Sequence, residues 1–512
     1  MTAPLGAPGS QSPVAIIGAG IGGLVAATLL AKAGRSVRVF ERHDGPGGKM
    51  RTVPSAAGPI DAGPTVLTMR GVFDEVFAAL GARLDDHVTL VRQPLLARHF
   101  WPDGSTLDLF DDSDRSAEAI HAFAGARAAR QFRAFDRRAR ALFAGFDGPV
   151  MRAPRPSLPR LIRQITLSPR LLSDMAPGKT LADLLTRSFD DPRLAQLFGR
   201  YATYVGGTPH LSPGLLSLIW QAEARGVWVV RGGMHRLALA LEELAKAHGA
   251  RFDYGTHVEA ISVQDDRVTG LLLGGGERFR AETVLFNGDP RALATGLMGP
   301  AVTAAAPGTD RVPRSLSADV WTFAARPQGP DLSHHNVFFR AEAQPEFDAL
   351  MQGVRVPDPT LYICAMDRGT GPAPQLERFE IIANAPPLTL TPKETSPCPD
   401  RCFPTLARFG LRFDPQPGPE TVTTPQGFET LFPGSAGALY GQSPHGMLAA
   451  FRRPTALTPI KGLVLAGGGT HPGAGVPMAA LSGRHAAEAI LQRRISTLPS
   501  RRTATRGGIS TA

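Results

Sequence analysis

The sequence predicts an α/β protein in which a Rossmann-like dinucleotide-binding domain is interleaved with a second, α+β domain. Three observations predict it. Residues 14–41 read as strand, glycine-rich turn, helix and strand, ending in an acid. Residues 462–491 show a further strand, glycine turn and helix at the far end of the chain. The whole chain has 512 residues. That is more than one hydrophobic core usually supports, so two domains are expected.

The first element is the short apolar run Val14–Ile17, the pattern of a buried parallel strand. Gly18, Gly20 and Gly23 follow it as G-x-G-x-x-G within "AIIGAGIGGL". A lone match is weak. Here a strand precedes it, a helix over 22–33 follows, and Glu41 ends the next strand. Gly18 permits the tight turn, Gly20 lets a pyrophosphate approach the backbone, and Gly23 lets helix pack on strand. Ile21 and Gly22 open the helix, whose unpaired N–H groups and positive dipole end face the phosphates. Gly34 stands where a helix C′ residue belongs. Glu41, next to Arg42, is placed to accept from both ribose hydroxyls and to repel a 2′-phosphate.

Two further features choose between NAD and FAD. "RHDGPGGKMRT" puts Gly47 and Gly48 beside Lys49, Met50 and Arg51. A second close-approach turn directly after the ribose acid suits a longer cofactor lying across the domain. A typical NAD enzyme would go straight into another helix. Near the C-terminus, "GLVLAGGGTHPGAGVPMAALSGRHAA" exposes backbone N–H groups at Gly468, Gly469 and Gly475. A helix then starts near Val476 and Pro477. Its positive end suits the flavin N1–C2=O region, which becomes negative on reduction. FAD is therefore the expected cofactor. The plainer alternatives, a solvated glycine loop and a C-terminal packing helix, weaken when the three segments are taken together.

Between these segments, 76–224 reads as helical. Phe123, Phe132, Phe135 and Phe143 fall at helical spacings within 117–146. Residues 227–244 give a strand, a Gly-Gly turn and an amphipathic helix. Short strands follow within 251–263, 267–273 and 282–286, and 301–449 is strand and loop, heavy in proline. The expected FAD-binding domain is thus discontinuous, over 1–75, 225–300 and 450–495. The expected substrate domain covers 76–224 and 301–449, and 496–512 is expected to be a mobile tail.

Composition narrows the function classes. Hydrophobic residues make up 43% and charged residues 20%, which excludes global disorder. The formal charge of +10 suits anionic lipid or nucleic acid. No nucleic-acid module accompanies it, so lipid is favoured and no nucleic-acid partner is expected. Three cysteines, Cys364, Cys398 and Cys402, point to a reducing compartment. Cys398 and Cys402 have no second ligand pair nearby, so no metal is expected. Residues 1–13 lack the charged and apolar regions of a secretory signal. No span of about 20 apolar residues predicts a transmembrane helix.

The quoted segments resemble the carotenoid desaturase family, the bacterial-type phytoene desaturases and their relatives within the amine-oxidase superfamily. "DAGPTVL" at 61–67, "GVWVVRGGMHRLALAL" at 226–241, "GSAGALYG" at 434–441 and "FRRP" before "GLVLAGGGTHPGAGVPMAALSG" extend the likeness over nearly the whole chain. "GTHPGAGVP" is specific to the carotenoid branch. Within it, "MRTVPSAAGPIDAGPTVLTMRGVF" and "LARHFWPDGSTLDLF" are most similar to the 1-hydroxycarotenoid 3,4-desaturases of purple photosynthetic bacteria. The resemblance implies a fold of the amine-oxidase and phytoene-desaturase type, with FAD contacts at Gly18, Gly20, Gly23, Glu41, Lys49, Arg51, Val258 and the turn from Gly468 to Val476. It implies desaturation of a substrate such as 1-hydroxyneurosporene, and a cytoplasmic protein lying on the inner, intracytoplasmic membrane. One departure stands out: the family often has an acid near the turn before "THPG", and here that turn is "AGGGT".

Such a reaction needs no acid–base pair if the cation formed is delocalised over a polyene. The nearest titratable candidates are His471 and Asp61, each with a hydrogen-bonding structural role as the plainer alternative. His99 and His235 are weaker. Oxygen or a quinone is the expected electron acceptor. Residues 153–175 mix Leu158, Leu161, Ile162, Ile165, Leu167, Leu171 and Leu172 with Arg155, Arg160, Arg163 and Arg170. That mix suits an interfacial segment, whose helix should begin near Arg160 because of Pro154, Pro156 and Pro159. The alternatives are a phytoene-type desaturase, an amine oxidase, or a prenyl-binding escort protein of the same architecture. An amine oxidase needs an aromatic cage, and the chain has only five tyrosines.

Overall fold

The computed structural model describes residues 12–390 and 399–495. The expectations for Cys398 and for the tail at 496–512 lie outside the described residues.

A five-stranded, all-parallel sheet forms from distant parts of the chain. Its spatial order is Leu463–Leu465, Thr283–Phe286, Val14–Ile17, Val37–Phe40 and Arg251–Asp253. The helix Ile21–Lys32 crosses between the strands Val14–Ile17 and Val37–Phe40. It packs against the helices Val476–Ile495 and His235–Ala247. Nearly all of it is buried, which explains why its sequence is apolar on every side rather than on one stripe. Its one buried hydroxyl, Thr28, donates to Leu24 O at 2.7 Å and lies 3.2 Å from Leu241 O. Gly34, at φ +77°, ends the helix as expected.

A larger mixed sheet stands opposite. Its path is Arg412–Asp414, Ser317–Gln328, Glu377–Ala385, Leu361–Ala365, His335–Phe338, Leu95–Phe100 and Thr106–Phe110. Its pairs are antiparallel except His335–Phe338 beside Leu95–Phe100. Period-two alternation gives it two faces. Trp321, Phe323, Phe338, Leu361, Ile363, Phe379 and Ile381 form one core with Cys402 and Leu406. The alternate residues Val320, Val337, Tyr362, Glu380, Ile382 and Asn384 face a cavity.

Helices from Ser113 to Ala224 cover one side. In Ser113–Phe146, Gly125 sits at φ +88° and interrupts an otherwise continuous helical period. Asp136, buried within it, accepts from Trp220 Nε1 at 2.8 Å and Gln221 Nε2 at 2.6 Å. The helix expected near Arg160 starts earlier, at Leu158. Ser157 accepts from the Arg160 N–H, and Pro159 falls in the first turn, where a missing N–H costs nothing.

Candidate active site

A cavity of about 710 Å³ opens where the C-terminal ends of the parallel strands meet the alternate face of the larger sheet. Ile17, Phe40 and Phe286 end three parallel strands at its wall. Gly18, at φ +93°, turns the chain out of the first strand. Gly20 is the N-cap of Ile21–Lys32 and carries no side-chain cap, so the first N–H groups are left for a ligand. Gly18, Gly20, Ile21 and Gly22 all line the cavity. Gly23 does not. A Cβ there would drive into the Gly18 carbonyl oxygen, so its role is packing of turn on helix.

Glu41 is buried and lines the cavity with Arg42. Its carboxylate accepts from Ala19 N at 2.7 Å and His43 N at 3.0 Å, fixing the acid beside the glycine turn. Gly48, Lys49 and Met50 also line the cavity, as does Val258. Lys49 Nζ donates to Leu439 O at 2.6 Å. Burial lowers its pKa to about 8. Arg51 turns away: its guanidinium donates to Thr423 Oγ1 at 2.9 Å and does not reach the cavity wall.

Gly468, Gly469, Gly475, Val476 and Pro477 bring the second glycine turn and its helix to the same cavity. Three residues that sequence reasoning missed hold this region together. Asn287 Nδ2 donates to Gly18 O at 3.1 Å, and its Oδ1 is buried without a hydrogen bond. Arg453 donates to Gly468 O, Tyr440 O and Gln442 O, each at 3.0 Å. Burial lowers its pKa to about 10. Asp289, ion-paired with Arg314, lines the cavity and supplies an acid near a turn that has none of its own. Asn287 and Asp289 follow the strand Thr283–Phe286, and that position was their only sequence signal.

The two titratable candidates lie off the cavity wall. Asp61 accepts from Met234 N at 2.6 Å and His235 N at 3.3 Å, at the start of the helix His235–Ala247. Burial raises its pKa. His471 Nε2 hydrogen-bonds with Ala153 O at 2.8 Å, and burial lowers its pKa to about 4. His235 Nε2 pairs with Pro46 O, and His99 Nδ1 with Leu107 O.

The rest of the cavity is apolar with a few polar groups. Val66, Ile219, Val320, Val337, Ile382 and Phe428 line it. Tyr362 hydroxyl is hydrogen-bonded with Thr65 Oγ1 at 2.8 Å and His335 Nδ1 at 2.7 Å. Tyr201 and Tyr204 both donate to Glu223. Tyr204, Tyr362 and Tyr440 all reach the wall, so scarcity of tyrosine does not by itself argue against an aromatic-lined site. Outside the cavity wall, His334, His335 and Cys364 put three ligand-type atoms within 4.8 Å of one another. His334 Nδ1 is paired with Arg368 O at 2.6 Å, and its Nε2 lies 3.5 Å from Cys364 Sγ.

Comparison with known proteins agrees with this geometry. The model of the flavin-containing amine oxidoreductase family matches residues 21–314 and 415–491. The chain is 55% identical over 481 residues to the hydroxyneurosporene desaturase of Cereibacter sphaeroides, covering 93% of this chain and 97% of that one. It is 52% identical to the hydroxyneurosporene desaturase of Rhodobacter capsulatus, covering 95% and 99%. Among solved structures, a putrescine oxidase bound to putrescine superposes with a TM-score of 0.60 at 17% identity, over 94% of this chain and 99% of that one. That last likeness concerns the fold alone. Cradle, cavity and relatives together place the chain in the flavin-containing amine oxidoreductase family, as a flavin oxidoreductase of its carotenoid desaturase branch.

Proposed function

We propose that the protein uses FAD to desaturate the 3,4 carbon–carbon bond of an acyclic 1-hydroxycarotenoid such as 1-hydroxyneurosporene. The observation that carries this reading is the continuity of one cavity. It joins a dinucleotide cradle to an apolar chamber tipped with a few polar groups. The relatives' shared name supplies the substrate class.

The residues fit FAD. The two glycine turns pack closely on each other at the cavity wall, since a Cβ on Gly48 would lie 3.1 Å from Gly20 Cα and one on Gly20 2.9 Å from Asn287 Nδ2, which keeps the backbone N–H groups of both turns at the cofactor site. Glu41 would hold the ribose, and the N-terminus of Ile21–Lys32 the pyrophosphate. Lys49, Arg453 and the start of Val476–Ile495 would surround the flavin end with positive potential. When bound, FAD supplies the two-electron acceptor, with oxygen or a quinone as the final one. The apolar wall excludes water and aligns the polyene. The second hydrogen leaves as a proton from a carbon beside that polyene, so no strong base is required.

The same reading divides the chain into a cofactor domain over 1–75, 225–300 and 450–495 and a substrate domain over 76–224 and 301–449. It also places the protein on the cytoplasmic side of the membrane that holds its substrate. No described helix is long and apolar enough to cross a bilayer. Leu158, Ile162, Leu167 and Leu172 are exposed on the helices Leu158–Leu167 and Pro169–Met175, while Leu161 and Leu171 anchor them inward. With Arg160, Arg163 and Arg170 alongside, this hairpin suits a headgroup layer.

The test is turnover. Protein purified with FAD is given 1-hydroxyneurosporene in liposomes, and product is followed by absorption and mass. Loss of two hydrogens with a red-shifted spectrum is expected. A parallel assay with phytoene separates the phytoene-type reading. Retained flavin with no conversion of either substrate would overturn the proposal, and a colourless protein would point to a lipid escort.

A further inference from the structure

Most polar groups on the cavity wall are committed to protein partners. Glu41 accepts from two backbone N–H groups, and Lys49 donates to Leu439 O. Tyr362 is shared between Thr65 and His335, and Tyr204 donates to Glu223. Glu380 differs. It is 0% exposed, it lines the cavity, and neither carboxyl oxygen completes a hydrogen bond. The Gly63 N–H, the Thr65 hydroxyl and the Arg51 guanidinium are near, but none is placed to close a well-formed hydrogen bond to it, and a buried carboxyl so poorly satisfied is costly and calls for a ligand.

Its position is fixed by strand register. Glu377–Ala385 presents Glu380, Ile382 and Asn384 to the cavity and Phe379, Ile381 and Ala383 to the core. The neighbouring strand puts Tyr362 opposite Ile382 on the same face. Burial holds the Glu380 carboxyl well above the usual carboxylate range, and nearby Asp61 pushes the same way. The Arg51 guanidinium, the Gly63 N–H and the Thr65 hydroxyl pull down less. These neighbours belong to the segments flanking the Gly48–Lys49 turn, at the cofactor end of the cavity.

That end is where a 1-hydroxyl must sit. In a 1-hydroxycarotenoid the oxygen on C1 lies within about 4 Å of C3 by ordinary bond lengths. Its partner therefore belongs beside the redox site rather than at the far end of the chamber. A protonated carboxyl offers one donor and one acceptor, the complement of an alcohol.

We infer that Glu380 is the specificity-determining residue that binds the tertiary hydroxyl of the substrate. The inference rests on the desaturase reading above and deepens it. A methyl-ended carotenoid leaves the Glu380 carboxyl unpaired in an apolar wall, so the enzyme discriminates against it.

The test compares 1-hydroxyneurosporene with neurosporene on the FAD-loaded enzyme. Binding is read from changes in the flavin spectrum, and kcat/KM from product. Wild type should prefer the hydroxylated ligand by at least about tenfold. Glu380→Leu should bring that ratio to near one while flavin content is retained. Glu380→Gln keeps a donor and an acceptor and should keep most of the preference. Equal binding of both ligands by wild type would overturn the inference, and this arm needs no variant to fold. So would an unchanged ratio in Glu380→Leu. Loss of turnover in Glu380→Gln with the binding preference intact in both variants would assign the carboxyl to proton transfer instead. A wild type that prefers the hydroxylated ligand but converts neither would keep the site and sink the desaturase reading.

Discussion

Gly23 and Gly34 show how differently glycines near the two ends of one helix respond to a methyl group. Gly23 has no space, because a Cβ meets the Gly18 carbonyl oxygen. Gly34 has open space but sits at φ +77°. Gly23→Ala should displace the turn and weaken flavin retention at least about tenfold, read as the flavin-to-protein absorbance ratio. Gly34→Ala should cost about 1 kcal/mol of stability and leave that ratio alone. Equal flavin loss in both would show that general destabilisation, not the cradle, is being measured. Glu346 offers a test of a buried charge. It accepts from Thr360 N at 3.1 Å, and burial raises its pKa to about 7. A folded-state pKa above the unfolded value of about 4.5 means that the folded protein binds more protons between those limits. This group's contribution to stability is therefore greatest below about pH 4.5 and is lost as pH rises toward 7. Glu346→Gln should melt progressively higher than wild type across that window. A difference that stays flat with pH would rule out titration of Glu346 as its source. At this scale the sequence revealed residues that follow a local rule, as with the glycines and Glu41. Asn287, Asp289 and Arg453 escaped because their roles exist only once distant segments meet at one turn.

The membrane proposal rests on one element, the helical hairpin of Leu158–Leu167 and Pro169–Met175. Ile162 is 61% exposed and Leu167 74%, so neither contributes to the interior. Replacing both by serine should change stability by no more than about 0.5 kcal/mol. It should also markedly reduce co-sedimentation with anionic vesicles. Leu161→Ser, by contrast, removes a residue of the core under the hairpin and should lower the melting temperature. If the exposed pair melts early while vesicle binding stays intact, the hairpin is a packing element and not a membrane contact. The surrounding elements were legible to different degrees. The glycine-flanked strands and the phenylalanine spacing of Ser113–Phe146 follow local periods, and both appear as expected. The break at Gly125 does not show in the pattern, since an isolated glycine fits inside a helix as well as at its interruption. In 301–449 the prolines mask a long strand, Ser317–Gln328, whose Pro327 falls near its end, where it pairs only with the short strand Arg412–Asp414.

At the scale of the molecule, the parallel sheet joins residues near 14, 38, 252, 285 and 464 in an order no local pattern encodes. Consecutive strands joined by a short crossover are usually neighbours, as Val14–Ile17 and Val37–Phe40 are. The placement of Leu463–Leu465 beside Thr283–Phe286 depends on contacts between segments far apart in the chain. The larger sheet then closes the cavity from its other side, so the wall is shared by elements that touch little else in common. On the proposed function, FAD bound there would link them, and its binding energy would add to the stability of both. At a hundredfold excess of FAD over its dissociation constant the gain is about 2.7 kcal/mol. That corresponds to a rise of roughly 2.5 °C in melting temperature for a chain of 512 residues. The rise should saturate with FAD concentration and move unfolding of the parallel sheet and of the larger sheet together. Trp321 lies in the larger sheet's core, and in a variant with Trp101, Trp220 and Trp228 replaced by phenylalanine its fluorescence can be followed beside far-ultraviolet dichroism. Coincident curves that shift together with FAD would establish the coupling. A tryptophan transition that stays fixed while the rest moves would mean that the larger sheet unfolds independently and contributes little to holding the cofactor.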